Sequence, residues 1–156
     1  MVGTLALRPA SDERAPLDAV RVEAMKKPVY WEERIRSLGG KAADEEFGVD
    51  APNLTFPQQH VIAHAFGGAL YTTEGDEGIG VCDGQYSFGC FHEFLGHAIV
   101  EQGHDAIPKL NDLCWSRMGS NGLTCQHGIG HGIMASELYT IGGLRTALDV
   151  CAVLPR

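Results

Sequence analysis

At 156 residues, 44% hydrophobic and 21% charged, the chain is long enough for one domain with a sizeable core and too short for two. That balance excludes wholesale disorder, and the longest apolar runs fall far short of a membrane span. The formal net charge is −8, and residues 51–156 carry four Lys/Arg against ten Asp/Glu, which argues against a nucleic-acid partner and suits attraction of cations.

No basic stretch followed by an apolar one occurs between Met1 and Pro16, so no signal peptide is read and the literal expectation is a cytoplasmic chain. Residues 1–15 mix Arg, Asp, Glu and Pro without periodicity and are expected to form a flexible arm ahead of a single helical domain over 16–156. Apolar residues at helical spacing (Val20, Met25; Trp31, Ile35, Leu38) predict helices from Leu17 to Lys27 and from Tyr30 to Phe47. Pro28 marks the break between them, and Gly39-Gly40 weakens or splits the second. Segment 48–56, with Pro52 and Asn53, reads as a loop that leads through Pro57 and Gln58 into a third helix.

The region 57–156 repeats itself. Gln58-Gln-His-Val-Ile-Ala-His64, Cys90-Phe-His-Glu-Phe-Leu-Gly-His97 and Cys125-Gln-His-Gly-Ile-Gly-His131 resemble one another, and their first histidines lie 32 and 35 residues apart. Each is followed by small and apolar residues and then by a shorter apolar stretch ending in Cys82, Cys114 or Cys151. A period near 34 residues resembles that of tetratricopeptide-type helix hairpins, although their Trp, Gly, Tyr and Pro signature positions are absent, so only the architecture is carried over. The expected fold is all-α: a helical-hairpin repeat array of about three units, solenoid- or toroid-like, behind an N-terminal helical extension. In each unit a His-bearing helix pairs with a short return helix, as in Gly143 to Cys151, where Leu144, Ala147, Leu148 and Cys151 share an apolar face.

Residues four apart on a helix share a face, so two imidazoles at that spacing can reach one cation. His60/His64 and His127/His131 have this spacing, whereas His92 and His97 are five apart and diverge unless a π-bulge intervenes. Aligning Gly96-His97 with Gly130-His131 puts Glu93 opposite His127, so Glu93/His97 becomes the middle pair. The expected metal set is His60, His64, His92, Glu93, His97, His127 and His131, which exceeds one tetrahedral zinc site and implies two metals or some orienting residues. Nitrogen donors favour zinc first, then iron or manganese, over magnesium or calcium. Glu93 is also the candidate general base beside a metal-bound water; the extra residue between His92 and His97 rules out a zincin His-Glu-x-x-His motif. His104 falls outside the pattern and reads as a surface turn residue.

Gly67, Gly68, Gly96, Gly128, Gly130 and Gly132 each cost a helix about 1 kcal/mol, which close helix approach or ligand access must offset. Cys82 pairs by position with Cys90 and Cys114 with Cys125, as disulfides, as inert thiols or as zinc thiolates; catalytic pairs Cys90/His92 and Cys125/His127 are weaker readings. Cys151 lacks the partner that the repeat would supply about ten residues past Arg156, so truncation at the C-terminus is expected. Three functions remain: a metalloenzyme, hydrolase or oxidoreductase, acting on a small molecule; a metal-binding or storage module; and an interaction scaffold with a structural histidine network.

Overall fold

The computed structural model describes residues 17–155, and the arm expected at 1–15 lies outside them. Every regular element among the described residues is helical. Helix α1 (Ala19–Met25) starts where the Asp18 side chain accepts from Arg21 N at 2.8 Å, and α2 (Pro28–Leu38) opens on Pro28 itself, since the first turn needs no proline N–H. Gly39, at φ +83°, ends α2 and starts α3 (Gly40–Asp50), a conformation that a residue with a Cβ adopts only under strain. The loop expected over 48–56 is mostly helical: α3 runs to Asp50 and a 3-10 turn follows over Ala51–Asn53. Ion pairing explains the extension, because Arg21 of α1 reaches Glu46 at 3.3 Å and Asp50 at 2.5 Å, and Arg34 of α2 also reaches Glu46.

The long helix α4 (Phe56–Glu74) is opened by a capping box between Thr55 and Gln58, with Thr55 N donating to Gln58 Oε1 at 2.9 Å. Then come 3-10 turns over Gly75–Val81 and Tyr86–Phe88, followed by α5 (Gly89–Gln102), α6 (Ile107–Met118), α7 (Gly122–Ser136) and α8 (Ile141–Val153). The stretch after α4 departs from the expected hairpin: three glycines within Gly75–Val81 leave a 3-10 stretch in place of an α-helical return. On α8 only Ala147 of the predicted apolar face is buried, and Leu148 is 62% exposed.

Helix α5 lies between α4 and α7, with α2 on α4 and both α6 and α8 on α7. Phe66, Phe91, Phe94, Leu95, Ile99, Ile129 and Ile133 fill this core, and Trp31 joins α2 to it with rings of Phe47 and Phe66 at 5.6 and 5.3 Å. The glycines set the spacing. A Cβ at Gly67 would fall 2.2 Å from the Cys90 carbonyl oxygen, at Gly128 3.0 Å from that of Phe91, and at Gly132 2.8 Å from that of Leu95. Close helix approach therefore accounts for these three, while Gly68 faces Glu93 and His97 instead. Disulfides join Cys82 to Cys90 and Cys114 to Cys125, which removes all four as metal thiolates or catalytic thiols. None of the described helices is long and apolar enough to cross a membrane.

Gly67→Ala drives a methyl group into backbone that has no flexible end to yield, so we expect a loss of about 3 kcal/mol in urea unfolding. The control Gly48→Ala, where a Cβ meets nothing within 4 Å, should leave stability unchanged or slightly raised.

Candidate metal centre

His60 and His64 project from α4, His92 from α5, and His127 and His131 from α7. The one-turn spacing brings His60 Nε2 to 3.2 Å from His64 Nε2, and His127 Nε2 to 3.1 Å from His131 Nε2. Two nitrogens on one tetrahedral zinc ion, at the usual bond length, stand about 3.3 Å apart. Both pairs already have that separation. His92 lies between them: its ring is 5.9 and 5.4 Å from those of His60 and His64, 5.7 Å from His127, and stacked on His131 at 4.0 Å. Among the described residues two groups of ligand atoms lie within 4.8 Å of one another, His60/His64/His92 and His92/His127/His131.

Hydrogen bonds fix the tautomers of the first pair. His60 Nδ1 is 2.8 Å from the Tyr86 carbonyl oxygen, and a carbonyl only accepts, so Nδ1 carries the proton. His64 Nδ1 likewise donates to Glu93 Oε2 at 3.1 Å. In the neutral rings both protons are thereby committed, and two bare Nε2 lone pairs face each other. The hydrogen bond from His64 holds the Glu93 carboxyl below its ordinary value, against the opposing effect of burial and with further electrostatic support from the neighbouring His64 and His97 rings. Burial, then the neighbouring imidazoles His131, His64, His127 and His60, push His92 down to about 3. Its Nε2 is buried without a hydrogen-bond partner. Burial first, then His127, also lowers His131.

The sequence-expected set is therefore split. Five histidines converge, while Glu93 and His97 lie outside both ligand groups, with His97 Nε2 3.3 Å from Glu93 Oε1. Helix α5 runs as a regular α-helix with no π-bulge, so His97, five residues beyond His92, points well around the axis from it. His104 begins a 3-10 turn as expected, yet it is half-buried and its Nε2 lies 3.0 Å from Ser136 Oγ at the end of α7.

Sequence reasoning missed the turn over Tyr86–Phe88, whose residues have φ of 52°, 54° and 62°. Three successive left-handed residues, none of them Gly or Asn, carry no sequence signal for this conformation. The turn aims the Tyr86 carbonyl at His60 and sets the Phe88 ring 5.7 Å from His127. A cavity of about 430 Å³ opens beside the cluster, lined by His64, His92, Glu93, His97, His131 and Tyr139 among others, with Glu101 but no Lys or Arg in its wall. No family model, curated protein or solved structure matches the chain, so the reading of this site rests on its geometry.

His92 supplies a pH signature in the metal-free protein. The folded chain protonates it only near pH 3 and the unfolded chain near 6.5, so its stabilising effect is complete above 6.5 and is lost as pH falls toward 3. Urea unfolding from about pH 7 to about pH 4 should show a steeper loss for the native chain than for His92→Gln, by the uptake of up to one proton. Parallel pH profiles would contradict a neutral His92 with its Nε2 buried.

Proposed function

We propose that this chain is a metal-binding protein in which His60, His64 and His92 hold a divalent transition-metal ion, zinc first and iron or manganese next. The observation that carries the reading is the facing pair of Nε2 atoms, 3.2 Å apart, whose Nδ1 protons are already engaged. A purely structural network needs a proton between those nitrogens, hence a charged imidazole beside the desolvated His92, whereas a cation accepts both lone pairs. The Tyr86 carbonyl and Glu93 then orient His60 and His64. Nitrogen donors favour a transition metal over magnesium or calcium.

Three imidazoles leave one position open, the pattern of catalytic rather than structural zinc. The adjoining cavity, about 430 Å³, falls within the usual range for a small ligand. We therefore read the protein as a metalloenzyme, a hydrolase by first choice, with metal-bound water as nucleophile, and an oxidoreductase if the ion is redox-active. Glu93 serves as the residue that orients His64; its ionised carboxylate at the cavity wall also favours a second role as general base. A storage module without turnover is the alternative, favoured by the further imidazoles of His127 and His131, and on either reading α4, α5 and α7 are the His-bearing helices of three repeated units. The acidic surroundings favour a small-molecule partner over a nucleic acid.

Protein purified without chelator should contain at least one metal ion per chain by elemental analysis, and His60→Ala, His64→Ala and His92→Ala should each hold at least one ion fewer than the native chain; a folded, metal-free native chain would sink the proposal. Glu93→Gln separates the two roles. Orientation of His64 predicts metal affinity weaker by about 10- to 100-fold. A base predicts retained metal with turnover reduced by about 100-fold or more.

A further inference from the structure

The imidazoles of α7 are unassigned by a single ion at His60, His64 and His92. His127 and His131 reproduce the geometry of the first pair, with Nε2 atoms 3.1 Å apart one helical turn from each other. They too form a group of three within 4.8 Å, and its third member is again His92. The two groups differ in surroundings: the first is half-buried throughout, while His127 of the second is exposed. The second group borders the 430 Å³ cavity through His92 and His131, and a groove of about 410 Å³ between α7 and α8 through His127 and His131.

We infer that the chain holds two metal ions, one on each triad, with His92 as the ligand common to both. The inference rests on the reading that His60, His64 and His92 bind an ion, and adds a second site and a coupling between them. A ring nitrogen has one lone pair, so one imidazole serves two ions only through both of its nitrogens. Filling the second site breaks the remaining N–H bond of His92, forms a nitrogen–metal bond in its place and releases the proton to solvent. The position of His92 suits this duty. It is the one member of the five-histidine cluster carried by α5, the helix packed between α4 and α7, and its ring contacts all four of the others. Its Nε2 is buried with no protein hydrogen-bond partner to lose.

Ligand sharing makes the ions unequal. The first binds a neutral His92, while the second must displace a proton and bind near an existing cation, so it binds more weakly and at the more exposed triad. With zinc as the probe, equilibrium dialysis and elemental analysis should give two ions per native chain. His60→Gln and His127→Gln should each retain one, and His92→Gln should hold neither tightly, with circular dichroism confirming the fold. Copper(II) provides a readout independent of any variant, because two copper ions joined through one imidazole couple magnetically: the fully loaded native chain should give a weaker resonance per copper than the half-loaded chain.

One ion, lost in His60→Gln and kept in His127→Gln, overturns this inference and leaves the proposed function standing. One ion lost in both variants also overturns it, since all the pairs then serve a single ion. Two ions that survive His92→Gln, or a fully loaded copper spectrum of two isolated ions, refute the shared ligand. A folded native chain that binds no zinc refutes both readings.

Discussion

The close approach of three helices governs the rest of the molecule. Helix α5 lies against α4 and α7 at distances that leave no room for a Cβ at Gly67, Gly128 or Gly132, where neighbouring carbonyl oxygens occupy the space. Glycine in mid-helix is locally unfavourable, and here the burial of Phe91, Phe94, Leu95, Ile99, Ile129 and Ile133 between the helices offsets that cost. The same spacing draws imidazoles from three helices together. Wider packing would leave His92 as an isolated residue on α5 and the pairs on α4 and α7 as unrelated surface features.

Bringing five imidazoles together is electrostatically costly. Each charged ring disfavours charge on the others, and burial adds to the effect, which is why His92 resists protonation down to about 3. Glu93 contributes negative charge from outside the ligand groups and fixes His64 by its Nδ1 proton. The wall of the adjoining cavity adds Glu101 and no positive side chain from Lys or Arg.

The N-terminal helices have a role at this site although they contribute none of its histidines. The Tyr86–Phe88 turn is held left-handed at a cost of about 1–2 kcal/mol per residue, and two features over-determine it. The Cys82–Cys90 disulfide brackets the turn, and the Tyr86 ring packs at 4.5 Å on Phe47 of α3. Helix α3 is in turn tied to α1 and α2 through Arg21, Arg34, Glu46 and Asp50. A chain of contacts therefore runs from the first helix to the carbonyl that orients His60.

The sequence by itself determined the helical class, a weak point at Gly39-Gly40, the pairing of the first four cysteines by position though not their oxidation to disulfides, and the histidines that belong together in pairs. Those properties depend on residues near one another along the chain: helical periodicity, glycine conformation and the one-turn spacing of two imidazoles. It also singled out the glycines, though not which of them face backbone. Only the tertiary structure decided that His92, and not Glu93 with His97, stands between the two pairs. That choice depends on the rotation of α5 relative to α4 and α7, which packing sets and local spacing does not. The left-handed turn at Tyr86, the extension of α3 through Asp50 and the 3-10 stretch at Gly75–Val81 escaped notice for the same reason: contacts distant in sequence override local preference there. The sequence supplied the donors, and the packing of three helices decided which of them face one another.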